Sequence, residues 1–414
     1  MTDDRELIYD WNGSERDLAA GVLLHDETLR DGIQDPSVVD PSVADKIEIV
    51  RGMDAVGIHS VDLGIPSAGR RAFAHALELA NDIVAEGLAI RPACAGRTLI
   101  ADIEPIARLS QKAGIPVEVM TFIGASPIRQ AAEQWSGAAI LARSVEAIDF
   151  AVREGLPVTF VTEDTTRSHP DLLADLFKAA IDTGAQRLCL CDTVGHATPN
   201  GVRSLVRFTR DIIAQHGSSV RIDWHGHNDR GLALANSLEA IAAGADRIHG
   251  CWLGIGERVG NASLDQLWLN LAMMRGTLDG SSHLHALRDV CEKVSEATRT
   301  PIPADYPLLG ANAFKTGTGV HASAILKATA RGDRALADRV YSSVPASLLG
   351  RRQEICIGPM SGLSNVHYWL RQAGLPDTPG LAAAVLEAAK QSDRNLTDPE
   401  IRHIVETVSR GAAQ

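Results

Sequence analysis

Five stretches of the chain share one pattern, in which a mixed polar and apolar segment ends at a glycine and a short apolar run follows. The clearest copies are AIDTGAQRLCLCDT at 180–193 and AIAAGADRIHGCW at 240–252; looser ones lie at 53–64, 111–122 and 152–163. Glycine there suits the left-handed residue that closes a helix, and each run reads as a strand buried on both faces. Adding VLLHDETL, GLAIRPAC and VRIDWHGH predicts eight strands, centred near residues 24, 60, 90, 119, 159, 189, 222 and 248. Intervals of 26 to 40 residues leave room for one helix each, which means βαβ units and a parallel sheet. Eight units in about 250 residues predict an α/β fold, a closed (β/α)8 TIM barrel. An open doubly wound sheet fits less well, because no GxGxxG follows the first strand.

Beyond residue 295 the alternation stops. TRTPIPADYPLLGANAF is proline-rich and reads as a surface crossing, after which the chain looks helical and irregular. Thr397 and Glu400 have capping-box spacing at the start of the last helix. The expected division is an N-terminal extension over 1–21, a catalytic barrel over 22–295 and a smaller, mostly helical region over 296–414.

Composition narrows the function classes. Apolar residues at 45% and charged residues at 22% suit a globular chain. A net charge of −12 argues against nucleic acid and anionic membrane as partners. No apolar run approaches 18 residues, and the acidic start has no signal-peptide core, so a cytoplasmic location is expected. The six cysteines are scattered and read as buried thiols of a reducing compartment.

Polar residues gather where the predicted strands end, which is where such barrels keep their working groups. Arg30 and Asp31 follow strand 1, Glu163, Asp164 and Arg167 follow strand 5, and Asp192 and Thr193 follow strand 6. His225 and His227 sit two apart on strand 7, so their imidazoles share a face and can meet one cation. Strands 7, 8 and 1 adjoin in a closed barrel, which brings Asp31 and the amide oxygen of Asn261 toward the same point. Two imidazoles, a carboxylate and an amide suit Zn²⁺, Mn²⁺ or Mg²⁺ without choosing among them. Arg30 either polarises a carbonyl or closes the barrel as a salt bridge. Thr193 is either a carboxylate binder or a turn residue, and Glu163 either a base or a partner of Arg167. Cys189, Cys191 and Cys251 read as core, and residues 267–274 as a helix packed on the barrel. The glycines of GIGERVGN read as turns that place Asn261. In the tail, His321 stands among small residues in GANAFKTGTGVHASAILKA.

HDETLRDG, EDTTRS, DTVG, HGHNDRGLALAN and GIGERVGNA together resemble the DRE-TIM metallolyase superfamily. Within it the chain is most similar to the acyl-CoA-dependent 2-oxoacid synthases, namely isopropylmalate, homocitrate and citramalate synthases. The tail segment and VYSSVPASLLG extend the likeness from Leu23 to about Gly362. The resemblance implies Asp31, His225 and His227 as ligands of a divalent metal, with Asn261 nearby. It implies Arg30 on the keto oxygen, Thr193 on the oxoacid carboxylate, and Glu163 with His321 as the base system. His321 and Tyr341 would come from the partner subunit of a swapped homodimer, and acetyl-CoA would be the co-substrate.

Several positions depart from the family pattern. Gly32-Ile33-Gln34-Asp35-Pro36-Ser37 replaces GEQ-x-PG, which leaves Gln34 as a substrate-binding candidate. Met120 stands where isopropylmalate synthases usually have histidine, Val161 where they have serine, and Arg129 replaces a further histidine. An apolar oxoacid pocket is therefore expected, for 2-oxoisovalerate or a similar acid, with a 2-alkylmalate as product and a place in leucine-type biosynthesis. Homocitrate-, citramalate- or benzylmalate-type activity is the alternative within the class. No leucine-regulatory domain is expected. A hydroxymethylglutaryl-CoA lyase would carry a cysteine in the loop after strand 8, which GIGERVGN lacks, and a 4-hydroxy-2-oxoacid aldolase would leave the His321 segment without a role.

Overall fold

The computed structural model describes residues 7–9, 11, 20–278 and 283–411. Most of the expected extension over 1–21 lies outside the described residues. The chain divides into two compact units, Met1–Pro301 and Ile302–Gln414.

In the first unit the strands are β1 Leu23–Asp26, β2 Ser60–Asp62, β3 Arg91–Arg97 and β4 Glu118–Gly124. They continue as β5 Val158–Glu163, β6 Arg187–Asp192, β7 Arg221–Gly226 and β8 Arg247–Gly250. Each pairs in parallel with its neighbours, and β8 closes on β1 with Arg247 opposite Leu23. The result is the TIM barrel that the periodicity predicts. The third strand starts later than its predicted centre at residue 90, for a local reason. The amides of Ala89 and Ile90 both donate to the Asp54 carboxylate at 2.8 Å, so that part of the apolar run serves a turn.

The helices between strands are α1 Val43–Val56, α2 Arg70–Glu86, α3 Ile100–Ala113, α4 Pro127–Glu133 and α5 Gly137–Arg153. After them come α6 Pro170–Thr183, α7 Pro199–His216, α8 Ala233–Ala243, α9 Leu264–Arg275 and α10 His283–Thr298. Each of the five repeat glycines (57, 114, 155, 184 and 244) is left-handed, with φ between 72° and 108°. At the helix starts the hydroxyls of Ser42, Ser126, Ser136 and Thr198 accept backbone N–H bonds. Helix α10 spans the expected boundary at residue 295 and packs on α1, where Lys293 reaches Asp45 at 2.8 Å.

Aliphatic side chains such as Ile49, Met53, Ile103, Leu176 and Val206 are fully buried on the helices that cover the strands. Inside the barrel the packing is ionic. Arg247 donates from Nε to Asp223 at 2.8 Å and from Nη1 to Glu118 at 2.9 Å, joining β8 to β7 and β4. His249 bridges Asp223 at 3.1 Å and Glu27 at 3.0 Å. No described helix is long and apolar enough to cross a membrane.

The second unit contains α11 Gly319–Ala330, α12 Arg334–Arg339, α13 Leu363–Gln372, α14 Pro379–Gln391 and α15 Asp398–Gly411. Val366, Leu370, Leu381, Val385 and Ile401 form its main apolar core. At the start of α15 the Glu400 carboxylate accepts the Thr397 N–H at 2.8 Å, one half of the expected capping box. A two-stranded parallel pair, β9 Lys315–Thr316 with β10 Glu354–Ile355, was not anticipated from sequence. Two residues per strand carry no readable alternation.

Candidate active site at the carboxyl end of the barrel

The turn after β1 turns Arg30 back onto carboxylates. Arg30 Nε donates to Glu27 at 2.8 Å and Nη1 to Asp31 at 2.9 Å, while Nη2 lies 2.6 Å from Glu27. Three of the five guanidinium N–H groups are thereby held, and two remain for a ligand. Burial alone would raise the Asp31 pKa, but Arg30 and the imidazoles of His227 and His225 hold this carboxyl well below the usual range. Glu27 is likewise buried, and Arg30 and His249 overcome that burial to keep it near 2.

At the end of β7, His225 Nε2 lies 3.2 Å from His227 Nε2, and His227 Nε2 lies 3.7 Å from Asp31 Oδ2. Burial, then the neighbouring His227, pushes His225 down to about 3, so its ring is neutral and offers a lone pair. Donors at about 2.1 Å from a cation stand roughly 3.0 to 3.4 Å apart in octahedral or tetrahedral geometry. The imidazole pair matches that spacing. One potential ligand atom from each of Asp31, His225 and His227 falls within a 4.8 Å group of buried side chains. These residues fit a divalent ion.

Asn261 is tied to the same place by a bridge to His227 across the loop after β8. Its amide nitrogen donates to Asp31 Oδ1 at 2.6 Å, and its buried Oδ1 has no partner. The amide nitrogen thus orients the Asp31 carboxylate, and the unpartnered amide oxygen is the atom that the sequence reading assigns to the metal. Gly256, at φ 152°, passes so close that a Cβ would stand 2.8 Å from Asp31 Oδ1 and strike the Asn261 amide. The glycine is therefore needed for close approach as well as for the turn.

Arg30, Asp31, Gln34, Met120, Val161, Glu163, Thr193, His225 and His227 all line one cavity of about 390 Å³. Thr193 Oγ1 accepts the Asp164 N–H at 2.8 Å, leaving its own hydrogen free to donate. Glu163 does not pair with Arg167, which forms a two-point contact with Asp164 at 2.7 and 2.8 Å. Burial raises the Glu163 pKa, and Arg129, 3.9 Å away, opposes that rise. In the second unit His321 and Tyr341 are exposed and stack on each other with ring centroids 4.0 Å apart.

Sequence reasoning missed several lining groups. Asp62 ends β2 and lies 3.5 Å from Arg30 Nε, and burial followed by Glu27 raises its carboxyl well above the ordinary range. Reading the end of strand 2 as strands 1, 5, 6 and 7 were read would have found it. Ile65 and Phe122 add apolar wall, and Glu257 and Arg258 come from the ERVG loop. Cys189 and Cys191, taken as core thiols, are buried and also face this cavity, 3.9 Å apart.

A family model described as HMGL-like matches residues 22–294. The chain belongs to the HMGL-like family. Among its relatives, a "Probable 2-isopropylmalate synthase" of Ignicoccus hospitalis is 32% identical, covering 94% of this chain and 92% of that protein. "Homocitrate synthase AksA" of Methanopyrus kandleri is 31% identical over 96% of this chain and 95% of its own length. This HMGL-like protein is thus an enzyme of the acyl-CoA:2-oxoacid condensing class. The hydroxymethylglutaryl-CoA lyase structure from Bacillus subtilis matches with a TM-score of 0.55 at 20% identity, over 68% of this chain and 95% of that one. That likeness concerns the fold.

Proposed function

We propose that the chain condenses acetyl-CoA with a 2-oxoacid bearing an apolar side chain, giving a 2-alkylmalate and free CoA. The observation that carries this reading is the composition of one cavity. Arg30, Asp31, His225 and His227 face a wall that includes Ile65, Met120, Phe122 and Val161. The polar side recognises the shared 2-oxoacid head, and the apolar side selects its tail.

Asp31, His225 and His227 would hold the divalent ion, with Asn261 fixing the Asp31 carboxylate. When bound, that ion supplies Lewis-acid polarisation of the keto group. The remaining N–H groups of Arg30 donate to the keto oxygen as negative charge grows there. Thr193 donates its free hydroxyl hydrogen to the oxoacid carboxylate. Glu163, whose pKa burial raises against the pull of Arg129, belongs to the base system that takes a proton from the acetyl methyl. His321 and Tyr341 complete that system from the second copy of a homodimer. Carbon–carbon bond formation and thioester hydrolysis then release the CoA thiol. The reading places the enzyme in the cytoplasm and in leucine-type biosynthesis.

Thiol release from acetyl-CoA across pyruvate, 2-oxoisovalerate, 2-oxoglutarate and phenylpyruvate, with and without a chelator, tests the assignment. The expected result is chelator-sensitive release, fastest with 2-oxoisovalerate or another apolar acid. A clear preference for 2-oxoglutarate, or release indifferent to chelation with metal removed, overturns it.

A further inference from the structure

The opposite, amino-terminal mouth of the barrel holds a cavity of about 870 Å³ that the proposed reaction does not use. Strands β3, β6, β7 and β8 begin there with Arg91, Arg187, Arg221 and Arg247, all lining it. Arg247 is fully engaged by Glu118 and Asp223, which is a structural task. The other three are not so accounted for. Arg187 donates from Nε to Asp223 at 2.6 Å, yet its buried Nη2 has no partner. Arg221 stands opposite Arg187 in the strand register, and Arg91 begins the strand after the turn. Among the described residues no carboxylate pairs with the exposed guanidinium of Arg91 or Arg221.

His59, on the same wall, senses the resulting field. Burial first, then Arg247, Arg91 and Arg187, push its imidazole down to about 4, with Glu118 as the opposing charge. Its buried Nδ1 also lacks a partner. Ile83, Ile115, Val158 and Val220 supply low-dielectric walls that strengthen charge interactions inside the cavity. Unpaired guanidinium groups of this kind match phosphate and carboxylate oxygens in two-point geometry.

We propose that the amino-terminal mouth is a second ligand site, which takes a compact di- or trianion across Arg91, Arg187 and Arg221. Phosphate esters and polycarboxylates share that chemistry. Isothermal titration of the full-length protein with sodium pyrophosphate and, separately, sodium citrate tests it, with ionic strength matched by sodium chloride. At least one probe is expected to bind saturably, and the responding probe tells which class is preferred. The Arg91→Ser/Arg221→Ser double variant removes no described ion pair, so it should keep its circular dichroism spectrum and turnover while binding at least tenfold more weakly. Arg30→Gln, altered at the catalytic end, should bind the probe as the parent does. Absence of saturable binding, unchanged affinity in the double variant, or loss of binding in Arg30→Gln overturns the proposal.

Discussion

Single residues set the chemistry of the catalytic mouth through burial and close charge. Val161 and Met120 are apolar groups lining the cavity that Arg30, His225 and His227 also face. Putting polar groups there, as Val161→Ser with Met120→His, should shift the ratio of kcat/KM values toward 2-oxoglutarate by about tenfold or more, since a matched polar contact discriminates strongly. An unchanged ratio would separate these positions from selectivity. Asp26 gives a test of pH dependence. Burial raises its pKa to about 8 from an ordinary 3.8, although its carboxylate accepts two hydrogen bonds from Thr28. Between those values the folded state binds the extra proton, so this group makes stability fall as pH rises, by up to about 1.4 kcal/mol per pH unit. His225 acts in the opposite sense, its folded value of about 3 lying below the usual 6.5, so that stability is lost as pH falls through that window. Asp26→Asn should therefore gain in Tm relative to the parent between pH 5 and pH 8. A difference in Tm that does not change with pH would count against a protonated Asp26.

At the scale of elements, strand starts and strand ends have different tasks. Asp223 on β7 and Glu118 on β4 meet Arg247 on β8, a buried cross-link between strands. Arg247→Ala would leave both carboxylates buried without their main partner, and a loss of about 3 to 5 kcal/mol is expected in urea unfolding. By contrast, Arg51 on α1 bonds Asp82 and Glu86 at the surface, where solvent screens the charges, and Arg51→Ala should cost far less. Similar losses for the two variants would refute the structural weight given to the interior network. The alternation of helices and strands was legible because its period is local. The pairing of β9 with β10 was not, because a long helical stretch separates them and each is too short to show a face.

For the whole molecule, the decisive question is whether His321 serves a cavity built by another copy. His321→Ala should abolish CoA release while retaining bound metal by elemental analysis, whereas Asp31→Ala should lose the metal. Subunits of the two variants, unfolded together and refolded as a mixture, should recover about a quarter of parental activity, because random pairing gives half heterodimers with one intact site each. No recovery would place His321 and Asp31 in separate roles within one subunit. The chain by itself determined the eight-fold strand period, the glycine stops and the crowding of Arg30, Asp31, His225 and His227 at strand ends, since these depend on spacing and on which way a side chain points from its own strand. Only the closed barrel decided that the Asn261 nitrogen would hold Asp31, that Asp62 would stand 3.5 Å from Arg30, and that Arg247 would join Glu118 to Asp223. Those outcomes turn on distances between residues remote in sequence, and such distances exist only once β8 has closed on β1.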